Sequence, residues 1–199
     1  MMTLVWTILS FLLGSLMFSY WLGLLAHRNL TEHGDRNPGA MNLWRTSGYV
    51  YGMAGVALDF GKGYAAMLGL LQLGHVSGYG IVLPAAAAML GHAFSPFMGW
   101  KGGKAIAVTF GVWSGLTGFE ASLAYAVILA LLLAGAWLIG QGKPPSSDTD
   151  GFQVAFGMLL LSGYLAYGSY ETAILLVWLF NFMLLVFTHR REIVRWYKD

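Results

Sequence analysis

Long apolar stretches separated by short polar interruptions run through the whole chain. Residues 4–26 carry no charged side chain and are long enough to cross a bilayer core of about 30 Å as a helix. The stretch is too long, and too poor in a small-residue cleavage site, for a removable leader, so it is read as a span. Further apolar stretches occupy residues 48–73, 76–98, 105–118, 121–140, 152–168 and 171–187. The pattern therefore predicts an all-α integral membrane protein with seven transmembrane helices, organised as a single domain over residues 1–199. The fourth stretch is short for a full crossing and is expected to start inside the bilayer or to be partly re-entrant against protein.

Seven crossings put the two ends on opposite sides and gather residues 27–47, 92–104, 141–151 and 188–199 on one of them. Those four segments hold ten of the eleven Lys and Arg residues, and the eleventh, Lys62, lies inside a span. The opposite turns offer only His75, Glu120 and Glu171 among titratable side chains. Because cytoplasmic loops retain Lys and Arg, the asymmetry predicts an outside N-terminus and a cytoplasmic C-terminus. A different helix count would scatter the basic residues over both faces.

Composition agrees and narrows the choices. The chain is 57% hydrophobic and 10% charged, whereas a soluble domain carries roughly 25% charged residues, so a water-soluble globule is excluded. Zero cysteines exclude a disulfide framework, a thiolate metal site and a cysteine nucleophile. The net charge of +2 is too small for a nucleic-acid binder. Glycine, at 27 residues, is about twice as frequent as usual. The pairs Gly48 with Gly52 and Gly111 with Gly115 have the spacing that lets membrane helices approach closely.

The polar residues cluster in three pieces on the basic side. The first, residues 27–45, contains the turn Asn37-Pro38-Gly39 and places Asn42 and Arg45 at i and i+3, on one face of a short helix. The second runs from His92 through Ser95 and Pro96 to Lys101-Gly102-Gly103-Lys104, ahead of an apolar helix. Adjacent glycines, a helix N-terminus and flanking lysines predict an anion cradle made partly of backbone N–H groups. It is not a Walker A loop, since Met98 stands where a glycine is needed and Ala105 where Ser or Thr is needed. The third is the tail with His189, Arg190, Arg191, Glu192 and Arg195, which also reads as an anchor for anionic lipid. Asp59 and Lys62, at i and i+3 in the second span, form an expected intramembrane ion pair, either a functional pair or a structural clamp.

With these residues in place the chain resembles the bacterial acyl-phosphate:glycerol-3-phosphate acyltransferase (PlsY) family. The resemblance rests on Gly14, Ser15 and Tyr20, on the run Asn37 to Arg45, on Leu58 to Gly63, on His92 to Lys104 and on His189 to Arg195, in the family's order and spacing. It implies a seven-span enzyme of the inner, cytoplasmic membrane whose active site faces the cytoplasm. Such an enzyme moves a fatty acyl group from acyl phosphate to glycerol-3-phosphate, forming lysophosphatidic acid for phospholipid synthesis. Acyl phosphate is a mixed anhydride with a good leaving group, so neither a protein nucleophile nor a metal or cofactor is needed. By resemblance, Arg45 and Lys104 hold phosphate and His92 or His189 assists with a proton or a hydrogen bond. Asp35, Asn37, Gly39, Asn42, Lys101, Gly102, Gly103, Arg190 and Glu192 then form the substrate-binding surface.

Four positions depart from the family pattern: Asp35 replaces Ser, Arg36 replaces Gly, Met41 replaces Thr and Glu192 replaces Asn. Carboxylates beside a phosphate repel it unless they are paired, Asp35 with Arg36 or Arg45 and Glu192 with Arg190 or Arg195. The alternatives are an acceptor other than glycerol-3-phosphate, or a membrane protein that binds phosphorylated lipid or acyl phosphate without turnover. A transporter built on Asp59 and Lys62 would show inverted halves with paired broken spans, and no such pairing is visible.

Overall fold

Wherever the chain is persistently apolar it forms helix, because backbone groups shielded from water must bond within their own segment. The computed structural model describes residues 1–198; the expected domain boundary at Asp199 lies outside them. Among the described residues there is no strand. The helices are α1 (Met2–Ser15), α2 (Phe18–Leu25), α3 (Ala40–Ser47), α4 (Tyr49–Leu68), α5 (Val82–Ala93), α6 (Ile106–Thr117), α7 (Glu120–Ile139), α8 (Ser147–Tyr167), α9 (Thr172–Thr188) and α10 (Arg190–Lys198). Each of the seven apolar stretches carries helix, and Met2–Leu25, Gly78–Met98 and Glu120–Ile139 are each long and apolar enough to cross a membrane.

The first stretch is not the uninterrupted helix its composition suggests. α1 stops at Ser15, Leu16 is extended, and α2 resumes at Phe18. A buried break leaves carbonyl groups that need donors. Ser95 Oγ donates to the Ser15 carbonyl at 2.7 Å, and Lys62 Nζ donates to the Leu16 carbonyl. α4 also ends irregularly, in one π turn over Gly69–Leu73.

Small residues let the helix axes approach closely. A Cβ on Gly14 would stand 2.0 Å from the Ala88 carbonyl oxygen of α5, and one on Gly111 would stand 2.1 Å from the Phe60 carbonyl oxygen of α4. Gly115 meets Met67 of α4 in the same way, so the pair at 111 and 115 serves helix packing. Gly48 does not. It faces open space and turns the α3–α4 corner at φ 86°, a conformation that favours glycine. Deeper in the bundle, Trp113 Nε1 donates to Asn181 Oδ1 at 2.9 Å and Asn181 Nδ2 donates to Thr109 Oγ1 at 3.1 Å, tying α6 to α9.

Two outer elements shape the site. α7 buries Ala121, Ser122 and Tyr125 near its start and no residue beyond them, so its second half meets the bundle along one side only, where Gln153 Nε2 of α8 donates to the Leu132 carbonyl at 2.9 Å. The basic tail is helical: α10 bends 64° away from α9. Trp196 of α10 stacks on Phe152 of α8 at 3.8 Å, and Gly151 leaves room for Glu192, whose Cβ would lie 2.5 Å from an added methyl.

Candidate active site

Residues 27–39 follow α2 as a run of turns fastened by side chains. Asn42 of α3 donates its amide hydrogens to the carbonyls of Leu30, His33 and Asn37, at 3.0, 2.9 and 3.0 Å. The Gly39 N–H donates to Asn37 Oδ1 and the Asn37 N–H to Asp35 Oδ1. These contacts hold Asp35 over the start of α6 and leave Arg45, three residues beyond Asn42, on the open face of α3. Arg45 makes no hydrogen bond or ion pair among the described residues.

The glycine-rich loop differs from expectation in where its N–H groups point. The Gly102 N–H donates to the Ala93 carbonyl and the Gly103 N–H to the His92 carbonyl, both at 3.0 Å, so neither is turned toward an anion. The glycines are required instead by close approach. A Cβ on Gly102 would lie 1.9 Å from the His92 carbonyl oxygen, and one on Gly103 would lie 2.4 Å from His92 Nε2. The loop is thus docked on the C-terminal end of α5, and the donors left over are those at the start of α6, beside Lys104 and Ala105.

Lys104 is paired with both carboxylates. Its Nζ stands 3.3 Å from Asp35 Oδ2 and 3.2 Å from Glu192 Oε1. Glu192 also lies 3.7 Å from Arg195, and Arg195 grips Asp148 of α8 through three hydrogen bonds of 2.6 to 3.0 Å. The result is an alternating chain Asp35, Lys104, Glu192, Arg195, Asp148 across four segments. Glu192 finds Arg195 as its residue spacing suggests, whereas Asp35 takes Lys104 in place of Arg36 or Arg45. Hydrogen bonding to Arg195 holds the Asp148 carboxyl below its ordinary pKa, while burial raises that of Asp150 against the pull of Arg45 and Lys104.

Two cavities meet at this chain. The larger in chemical range, about 510 Å³, has a polar end formed by Asp35, Asn37, Gly39, Asn42, Arg45, Lys104, Asp150 and His189, with His92 and Asp59 in its wall. It continues into an apolar slot among Val56 of α4, Ile106 and Phe110 of α6, Leu129 and Leu133 of α7, and Val154 of α8. The second, about 570 Å³, is lined by Arg36, Lys101, Gly102, Gly103, Arg190, Arg191 and Glu192 and shares Asp35, Asn37 and Lys104 with the first. Arg190 is partly occupied, donating to the Phe187 carbonyl and lying 4.2 Å over the Phe187 ring.

The two histidines are held differently. His189 is 2% exposed, and the Leu185 carbonyl, 2.9 Å from its Nδ1, requires the proton there, leaving the Nε2 lone pair unused. Burial lowers its pKa to about 4, against the Leu185 hydrogen bond, so the ring is neutral near pH 7. His92 instead joins the expected Asp59–Lys62 pair: Lys62 Nζ lies 2.9 Å from Asp59 Oδ1 and 2.8 Å from His92 Nδ1, and Ser19 Oγ donates to Asp59 Oδ2.

Sequence reasoning missed the contribution of α8. Residues 141–151 read only as a segment on the basic side, yet Ser146 Oγ accepts the Thr149 N–H at 3.1 Å and starts α8 at Ser147, so Asp150, Gly151 and Gln153 line the chamber and Asp148 reaches Arg195. The Ser-Ser-Asp-Thr-Asp run, a capping residue followed by acids in the first turn, was the available signal.

Fold and site define an integral membrane protein whose charged chamber opens into an apolar slot. Residues 4–199 match the family model described as glycerol-3-phosphate acyltransferase, and the chain belongs to that family. It is 36% identical over 196 residues to glycerol-3-phosphate acyltransferase 1 of Thermotoga maritima, covering 96% of this chain and 95% of that one. It is 34% identical over 198 residues to glycerol-3-phosphate acyltransferase of Streptococcus pneumoniae, covering 98% and 90%. Its fold matches the crystal structure of PlsY (YgiH), an integral membrane glycerol 3-phosphate acyltransferase, in its glycerol 3-phosphate form. That match has a TM-score of 0.84 at 24% identity and covers 98% of this chain and 92% of the other. The lysophosphatidic acid form of PlsY matches with a TM-score of 0.82.

Proposed function

We propose that this chain is a single-domain acyltransferase that moves a fatty acyl group from acyl phosphate to the hydroxyl of glycerol-3-phosphate. The observation that carries the reading is the cavity in which Arg45, Lys104 and His189 share one chamber with an apolar slot. The slot suits an acyl tail, and the polar end suits the phosphoryl group and the attacking alcohol. In the reaction the acceptor oxygen bonds to the acyl carbon and the carbon–oxygen bond to phosphate breaks, with the electron pair leaving on phosphate. The hydroxyl proton is drawn off through His189 Nε2, which at a pKa of about 4 does not keep it, and ends on the departing phosphate. Arg45, Lys104 and the N–H groups at the start of α6 stabilise the charge, with Lys101 and Arg190 adding positive field from the second cavity. Asn37, Gly39 and Asn42 shape the wall, and Gly102 and Gly103 hold the loop in place.

Each ion pair of Lys104 is partly exposed and is worth up to about 1 kcal/mol. A phosphate dianion contacting several cations displaces such partners, which reconciles Asp35 and Glu192 with an anionic substrate. In the same reading the chain has seven spans, an outside N-terminus and a cytoplasmic C-terminus, and it places the site at the cytoplasmic face of the inner membrane. The support is the basic-residue asymmetry and the gathering of all three polar pieces at one end of the bundle.

The test is release of inorganic phosphate and formation of lysophosphatidic acid by purified protein in lipid vesicles given acyl phosphate and glycerol-3-phosphate. Binding of labelled acyl phosphate with no turnover on any alcohol or amine would favour a binding protein. The carboxylates on Lys104 favour a second reading, in which the acyl donor is kept and the acceptor is neutral or cationic. Turnover with such an acceptor and none with glycerol-3-phosphate would establish it.

A further inference from the structure

Lys62 forms part of no cavity wall described above, yet it is buried, 4% exposed, at the meeting of α1, α4 and α5. Its ammonium has three N–H bonds and no lone pair. Two acceptors bond it, the Leu16 carbonyl freed by the helix break and His92 Nδ1, while Asp59 Oδ1 stands 2.9 Å away as its counter-ion and 3.9 Å from His92 Nδ1, beyond hydrogen-bond reach. Asp59, 1% exposed and held by Ser19 Oγ, supplies the negative charge opposite the ammonium. A doubly protonated His92 would set two cations 2.8 Å apart in a buried site, which low dielectric forbids. His92 Nδ1 must therefore be the unprotonated nitrogen, and the ring proton must sit on Nε2.

That side of the ring faces the Gly103 backbone and the start of α6. His92 is part of the wall of the 510 Å³ chamber, next to Lys104 and Ala105. Gly103 lies against Nε2, where any side chain would collide at 2.4 Å, so the absence of a Cβ there keeps the ring edge clear. We infer that His92 acts as a fixed Nε2–H donor to an oxygen of the acyl phosphate, and that Lys62, steadied by Asp59 and Ser19, is the positioning residue that enforces this tautomer. The inference rests on the acyl-transfer reading. In that reaction negative charge grows on the acyl carbonyl oxygen and on the departing phosphate. A neutral, pre-aimed N–H stabilises either without itself losing a proton. His189, with its proton on Nδ1 and its lone pair on Nε2, is the complementary partner that receives the acceptor's proton. The intramembrane ion pair thus serves the site at one remove, by dictating which nitrogen of a neighbouring ring is bare.

Two measurements on the full chain test this. The first is nitrogen NMR of protein labelled with 15N-histidine in lipid nanodiscs, assigned with His92→Gln. The expected spectrum shows His92 protonated at Nε2 alone at pH 7, and Lys62→Met gives a mixture of tautomers. An Nδ1–H or a doubly protonated His92 in the wild-type protein overturns the proposal. The second is turnover. His92→Gln, which keeps an N–H of similar reach but cannot titrate, should retain kcat within about tenfold, while His92→Ala loses about 100-fold or more in kcat with KM little changed. Equal losses in the two variants overturn the donor role. The spectrum needs no catalysis, so a wild-type protein without turnover would refute the acyl-transfer reading and leave the tautomer assignment to be judged on its own result.

Discussion

In the proposed reaction Lys104 carries the most weight, because it answers to two carboxylates before any substrate arrives. Removing one should ease phosphate entry: Glu192→Asn is expected to lower KM for glycerol-3-phosphate several-fold with kcat little changed, measured by phosphate release at saturating acyl phosphate. Collapse of kcat instead would show that the carboxylate is recruited for the reaction. Lys104→Ala and Arg45→Ala should each cost about 100-fold or more in turnover, since each removes a full charge from a site handling phosphates. Full activity in both would displace the site from this cavity. Asp59 with Lys62 was visible at this scale in the sequence because i,i+3 neighbours share a helix face. The third member, His92, was not, since it comes from 30 residues away and no spacing rule links it to Lys62.

Among the elements, the α9–α10 corner ties catalysis to stability through His189. Its folded pKa of about 4 lies below the ordinary 6.5. Between those values the unfolded chain binds the extra proton and the folded one does not, so stability falls as pH drops from 6.5 toward 4 and is level above that window. The full effect is at most about 3 kcal/mol. Thermal unfolding in detergent should show a midpoint that declines over this range, and His189→Gln should flatten the decline. The α5 end and its docked glycine loop make a separate point. Gly102 and Gly103 were expected to cradle an anion and instead partner α5 carbonyls, because a glycine pair permits many backbone courses and only tertiary packing selects one. The break at Leu16 escaped the hydropathy pattern for a similar reason: its donors, Ser95 and Lys62, lie in other helices.

For the molecule as a whole, apolar length made the all-helical, membrane-embedded architecture legible, since it follows from the solvent rather than from specific partners. The absence of cysteine permits a direct test of orientation. Single replacements Lys143→Cys and Lys198→Cys should react with a membrane-impermeant thiol reagent only from the cytoplasmic side, and His75→Cys only from the other. Labelling of Lys143→Cys and His75→Cys from the same side would refute the seven-span topology.

The one-sided attachment of the far half of α7 bears on how the proposed cycle ends. Leu129 and Leu133 stand between the tail slot and the surrounding lipid on a stretch of helix with no buried residue. In the proposed reaction a product whose tail lies there need never be pulled into water; it leaves sideways past α7 while its headgroup stays at the surface. Turnover should then track the fluidity of the host bilayer, slowing sharply in vesicles cooled through their gel transition. A cross-link pinning α7 to α4 should trap lysophosphatidic acid inside.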